Sequence, residues 1–275
     1  MALLLCACAN ILGFEEGEPL ESGSGGSATA SGSATASVST TSSTGGQAGG
    51  GPSYLDVVMA DAPCGYWRLG EALGAVASDA SGNSIDGTYF GVTLGAPGAL
   101  VGDADTAATF DGVAGTKLVI DSDTFRFPGF AQFSVELWVK PPMLAGGSPT
   151  IIGQLDNQVG SVSNGWWITA NTNSTVFVRG DSVATDGAGG PPLMLGAFTH
   201  LVATFDGVNM RLYLNATLAD DRTSSLQIAE HPQPLVVGSR FTNADTFAGT
   251  IDEIVIYCTA LPAADVLEHY QAATH

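Results

Sequence analysis

From Tyr54 onward, apolar positions come in short bursts separated by Gly, Asp-Gly and Pro, and almost every burst has strand length rather than helix length. The runs are Tyr66–Leu69, Ala107–Asp111, Lys117–Ile120, Phe133–Lys140, Ile151–Leu155, Gly165–Ala170, Thr175–Arg179, His200–Phe205, Arg211–Asn215, Leu235–Gly238 and Thr250–Tyr257. So many short strands do not fit one open sheet, and the pattern predicts an all-β fold of two antiparallel sheets packed face to face. Asp206-Gly207, between two alternating runs, predicts a hairpin. Two stretches predict helix: a short turn over Tyr54–Ala60, and Pro262–Ala272, where Pro262 suits the first helical position and Val266, Leu267 and Tyr270 recur on one face.

The part preceding this pattern differs in kind. Residues 1–14 are apolar and carry two cysteines, and Leu5-Cys6-Ala7-Cys8 resembles a bacterial lipoprotein processing site with Cys8 as the lipidated residue. Only seven residues precede Cys8 and none is basic, so the segment reads as a shortened signal or as a plain apolar start. Residues 15–52 turn to Gly, Ser, Thr and Ala with four acidic side chains, a composition that buries too little apolar surface to offset the entropy of ordering it. A disordered tether is expected there, with residues 53–275 forming the folded domain on the extracellular or surface side.

Charge narrows the function classes. The chain carries 8 Lys and Arg against 27 Asp and Glu, a net charge of −19. That balance gives no cationic surface for a phosphate backbone, which argues against nucleic acid, and no apolar run is long enough for a transmembrane span.

A series of short segments then takes on meaning together: Tyr66-Trp67-Arg68-Leu69-Gly70-Glu71, Asp79 to Asn83, Asp86-Gly87-Thr88-Tyr89, Phe110-Asp111-Gly112, the strand Phe133–Lys140, Leu201 to Gly207, and Gly249 to Tyr257 with its Asp252-Glu253 pair. In this order they resemble the laminin G-like jelly-roll modules of the concanavalin A-like lectin/glucanase superfamily, including those of bacterial secreted proteins. The resemblance implies two curved antiparallel sheets, carbohydrate held on a sheet face or loop rim, and in some members a structural calcium. It does not imply catalysis, because that superfamily contains lectins, adhesive modules and hydrolases alike.

The resemblance also implies that the first and last strands are neighbours, which would bring Cys64 and Cys258 within reach of a disulfide; two unpaired buried thiols are the alternative. For calcium, Asp79, the Asn83 carbonyl and Asp252 form the expected ligand set, with Asp86 and Asp111 as weaker candidates, because calcium takes carboxylates and carbonyls from flexible loops. The plainer reading is that these side chains tie turns and backbone amides. In Thr250–Tyr257, strict alternation would put Asp252 and Glu253 on opposite faces.

For ligand, Trp167, Arg179 and Tyr213 are the expected contacts: Trp166 and Trp167 point to opposite faces of one strand, while Arg179 and Tyr213 alternate away from aliphatic neighbours. The alternating acidic triad of the retaining glucanases is absent from the sequence, as are the nucleophile elbow, zinc and phosphate-loop motifs. The leading expectation is a non-catalytic, secreted or surface-tethered module binding a glycan or matrix polymer. A structural or adhesive protein–protein module of the cell envelope is the second reading, and a glycoside hydrolase or lyase the third.

Overall fold

The computed structural model describes residues 51–156 and 162–275. The expected signal, its Cys8, and the tether except Gly51 and Pro52 lie outside the described residues.

The domain is a sandwich of two eight-stranded antiparallel sheets. The first runs in the order β14 (Thr217–Thr223), β13 (Asn209–Leu214), β12 (Thr199–Phe205), β7 (Phe133–Lys140), β16 (Ala248–Tyr257), β5 (Thr106–Asp111) and β4 (Thr93–Pro97), and β1 (Gly65–Trp67) also pairs with β16. The second runs β11 (Thr185–Gly190), β10 (Thr175–Asp181), β9 (Asn164–Ala170), β8 (Thr150–Leu155), β15 (Leu235–Val237), β6 (Lys117–Ile120), β3 (Gly87–Phe90) and β2 (Val76–Ala77). Strands that the apolar pattern did not announce, β2, β3, β4, β11 and β14, lie toward the sheet edges. There a strand needs one partner rather than a buried apolar face, so β11 can be the sequence TDGAGG.

The core follows from period-two alternation. Phe133, Val135, Leu137 and Val139 of β7 bury against Ile151, Trp166, Ile168 and Phe177 of the second sheet. The other face of the first sheet builds a separate apolar cluster in which Trp138, Val202, Tyr213, Val255 and Tyr257 meet Tyr54, Val58, Val266 and Ala273. The last four belong to two helices, α1 (Tyr54–Ala60) and α2 (Ala263–Thr274), which cover that face. Ser53 caps α1 through a reciprocal pair with Asp56. Pro262 is the N-cap of α2 rather than its first helical residue, with an extended backbone that turns the chain into the helix. None of the described helices is long and apolar enough to cross a membrane.

Under the helices lies a buried polar hub. Both oxygens of Glu136, on β7, are fully used: Tyr54 Oη donates to Oε1 at 2.8 Å and Tyr257 Oη to Oε2 at 3.1 Å, while His200 Nε2 lies 2.8 Å from Oε1 and His269 Nδ1 2.9 Å from Oε2. The far nitrogen of His269 reaches Asp61 at 3.1 Å. α1, β12, β16 and α2 thus converge on one side chain of β7. Burial alone would raise the Glu136 pKa, but the charge of His269 and hydrogen bonds from His200 and His269 outweigh it and hold it well below the usual carboxylate range. Burial alone would lower that of His269, and the neighbouring Glu136 and Asp61 raise it instead. The Glu136 contribution to stability is therefore present above the ordinary carboxylate pKa and lost as acid titrates the folded state; that of His269 is present below the ordinary histidine pKa and lost on the alkaline side.

Cys64, just before β1, and Cys258, just after β16, form a disulfide with Cα atoms 5.9 Å apart, as the jelly-roll resemblance implied. The bond closes a sequence separation of 194 residues, for which chain entropy gives about 5 kcal/mol and measured bridges typically about 2–4 kcal/mol. Reduction, or Cys64→Ala with Cys258→Ala, is expected to lower the thermal midpoint by about 5–15 °C, and an unchanged midpoint would show a bridge without effect. Glu136→Ala strands four polar partners and is expected to cost about 3–5 kcal/mol in urea unfolding at neutral pH; a loss below about 1 kcal/mol would remove the hub as an organising element.

Candidate functional site

Helices cover the outer face of the first sheet, whereas the outer face of the second carries no helix and is open toward its β2–β3–β6 edge, with Val236 and Trp167 at its middle buried. Strand register lays one row of side chains across all its strands: Val76, Thr88, Val119, Val236, Gly153, Trp167, Val178 and Gly187. Trp167 is the aromatic of this row, and Gly153 beside it is required by space: a Cβ there would lie 2.5 Å from the Trp167 Cβ. Trp167 itself is only 7% exposed, with the Arg240 guanidinium 5.8 Å from its ring.

The open part of the face lies toward β3 and β6. Phe90 and Lys117 are directly opposed there, on the side away from core residues Tyr89 and Leu118. Residues 239–247 between β15 and β16 fold back on themselves through Arg240 N–H to Ala244 O and Asn243 N–H to Arg240 O, both 2.9 Å, with Asn243 in the left-handed region that asparagine tolerates. This loop brings Phe241 and Asn243 to Lys117. The Lys117 ammonium donates to Phe241 O at 3.0 Å and Asn243 Oδ1 at 2.9 Å, and sits 5.0 Å from the centre of the Phe241 ring. Phe90 is 46% and Phe241 42% exposed, so one exposed ring lies beside the ammonium and a second stands on the neighbouring strand opposite Lys117. Such a group can pack on the C–H face of a sugar while the polar atoms take its oxygens. The sequence held a signal for it in the scarcity of lysine, since Lys117 is one of two, but nothing local linked Phe241 to β6.

The three ligand contacts expected from sequence are not brought together. Tyr213 is buried in the cluster on the outer face of the first sheet. Arg179 lies inside the sandwich, 3.6 Å over the Phe205 ring, donating to Ser224 Oγ, Leu226 O and Gly129 O. Its alternation with Val178 was read correctly but the face was inverted, since Val178 is the residue that points outward. Burial brings the Arg179 pKa down to about 10.

The side chains of the expected calcium ligands are engaged by protein groups. Asp79 accepts Tyr66 N–H (3.0 Å), Ser81 N–H (2.9 Å) and Ile85 N–H (2.9 Å), so both its oxygens fasten the turn beside β1. Asn83 donates its side-chain amide to Pro63 O and Cys64 O. Asp252 accepts Ala99 N–H at 2.7 Å and Glu253 N–H at 3.1 Å. Asp86 and Asp111 accept neighbouring backbone amides. Among the described residues no three His, Cys, Asp or Glu side chains converge as a metal cage, so the calcium expectation rests on the sequence alone.

The alternation expected for Asp252 and Glu253 is broken. One extra residue in β16 opposite β7 forms a bulge, with Glu253 at φ +49°, so that Ile251, Ile254 and Ile256 all face the core. Both carboxylates leave the core face together. Glu253 bonds Tyr66 Oη and the Arg68 guanidinium, which also meets Asp103 at 2.7 Å and Asp105 at 3.0 Å. Burial first, then the adjacent Glu253 charge, pushes Asp252 up to about 8; burial, outweighing the Arg68 pairing, brings Glu253 up to about 7. Opposite faces therefore no longer argue against this pair as catalytic acids, but enclosure does, because both side chains are essentially without solvent contact. A raised carboxyl pKa means that folded-state stability from these two groups is present in acid and falls as pH rises from the ordinary carboxylate value through about 7–8. Asp252→Asn is expected to flatten the decline of the thermal midpoint between about pH 5 and 8; an unaltered slope would show that Asp252 does not titrate there.

Three comparisons place the fold among known proteins. The family model described as the concanavalin A-like lectin/glucanases superfamily, of laminin G type, matches residues 104–267. The binding domain of Paraclostridial Mosquitocidal Protein 1 is similar in structure at 17% identity and TM-score 0.59, over 77% of this chain and 52% of that one. The botulinum neurotoxin serotype G binding domain matches at 15% identity and TM-score 0.56, over 70% and 48%. A Trypanosoma rangeli sialidase, in complex with 2,3-difluorosialic acid as a covalent intermediate, matches at 15% identity and TM-score 0.57, over 76% and 33%. The chain thus spans about half, or less, of these structures. None of the curated proteins compared matches it. With two antiparallel sheets in jelly-roll form and more than half of its length matched, the chain belongs to the concanavalin A-like lectin/glucanases superfamily.

Proposed function

We propose that this domain is a non-catalytic binding module of the extracellular space or cell surface that takes a glycan on the outer face of its second sheet. The observation that carries this reading is the solvent-exposed Phe241 ring beside the Lys117 ammonium and the Asn243 amide, with exposed Phe90 directly opposite Lys117 in the strand register. The rings supply flat apolar area at small entropic cost, and the amide and ammonium supply direction. Two of the similar structures are toxin binding domains, which supports the choice of binding over catalysis. The disulfide supports an oxidising compartment.

The second reading, a protein-binding adhesive module, is favoured by one other observation. Exposed Met143, Met194 and Leu195 lie on two loops joined by Gly196 N–H to Pro141 O at 2.9 Å. These side chains are flexible and apolar, the kind used at adaptable protein contacts.

Screening the oxidised domain on a glycan array separates the two. Specific binding that weakens about tenfold with Phe90→Ala and again with Phe241→Ala, about 1.4 kcal/mol each, supports the glycan reading. Silence across neutral and acidic glycans overturns it.

A further inference from the structure

The face assigned above also indicates what kind of sugar it takes, and the following rests on that assignment. In a chain of net charge −19, nearly every cation is already answered. Arg68, Arg126, Arg211, Arg222 and Arg240 each lie within ion-pair distance of a carboxylate. Arg179 is sealed inside the sandwich on neutral oxygens, and Lys140 lies 4.3 Å over the Phe198 ring. Lys117, like Lys140, has no carboxylate within ion-pair distance among the described residues, and it lies on the open part of the second sheet. Its two acceptors, Phe241 O and Asn243 Oδ1, are neutral, so the positive charge is held in place without being balanced. An ammonium has three N–H donors, and the third has no partner among the described residues.

The position of that charge is fixed as well. β6 sets the Lys117 backbone, paired with that of Phe90 on β3, and the loop carrying Phe241 and Asn243 holds the ammonium. A neutral sugar would use the two rings and leave the charge idle. A sugar bearing a carboxylate would use all of it: ring faces against C–H groups, and the acid oxygen on the third N–H as a charge-assisted bond. The chain's overall negative charge does not oppose this at close range, because at physiological salt charges beyond about 8 Å are largely screened.

We propose that the Phe90–Lys117–Phe241 face selects carboxylated pyranoses, a uronic or sialic acid residue, over their neutral counterparts. The pair is partly exposed, so the expected preference is modest, about tenfold, and weakens as salt rises.

The test compares binding of the oxidised domain to oligogalacturonate, to the same oligomer fully methyl-esterified, and to sialyllactose and lactose, at low and high salt. Esterification removes the charge from the ligand without touching the protein, so a folding defect cannot imitate the result. A roughly tenfold preference for the acid over its ester or neutral partner, diminished by salt and reduced to about equal binding in Lys117→Met, supports the proposal. Preference in the uronate pair but not the sialyl pair, or the reverse, identifies the source of the carboxylate. Equal binding of acid and neutral forms overturns the selectivity and leaves the glycan reading standing. Absence of binding to every sugar overturns both.

Discussion

The structure depends on a single buried carboxylate being fully satisfied. Glu136 stands in the middle of the first sheet, where an unpaired charge would be intolerable, and its four partners come from elements at both ends of the sequence. Satisfying it obliges α1 and α2 to lie on that sheet, and Trp138, Tyr213 and Tyr257 are buried as a result. The consequence for function is indirect but firm. One outer face of the sandwich is covered by α1 and α2, and the proposed glycan site is accordingly placed on the other sheet.

The second sheet shows how small residues shape such a face. Gly153 and Val178 flank Trp167 in the row, Gly187 ends it and valines fill much of the remainder, so the row is largely small and apolar. Against that floor, the loop after β15 is the feature that rises, and its contacts to Lys117 tie it to the sheet. The proposed polar contacts therefore lie at one corner of the sheet.

Much of the architecture could be read from residue patterns because the central strands obey period two and bury one face, which makes the apolar alternation strong. The edge strands escaped for the opposite reason: β11 and β14 are glycine-rich or charged and are strands by virtue of a neighbour. The site was less legible. Alternation gives parity but not which parity faces inward, and Arg179 illustrates the difference, since its long aliphatic stem and three neutral acceptors make the interior acceptable to it. At Asp252-Glu253 the rule itself failed, because a one-residue bulge resets the phase in mid-strand and no composition signal marks it. Phe241 reaches Lys117 from 124 positions away, which only the fold could reveal.

The bond between Cys64 and Cys258 also determines how the domain would carry a mechanical load. Tension entering along the chain from one end passes through the sulfur atoms and leaves at the other, bypassing the chain between Cys64 and Cys258. Pulling would peel α1 and α2 and strain the Glu136 contacts, while the strands that support the Phe90 and Phe241 corner stay off the force path. A grip on a polymer could then persist under shear that would unravel an unbridged sandwich.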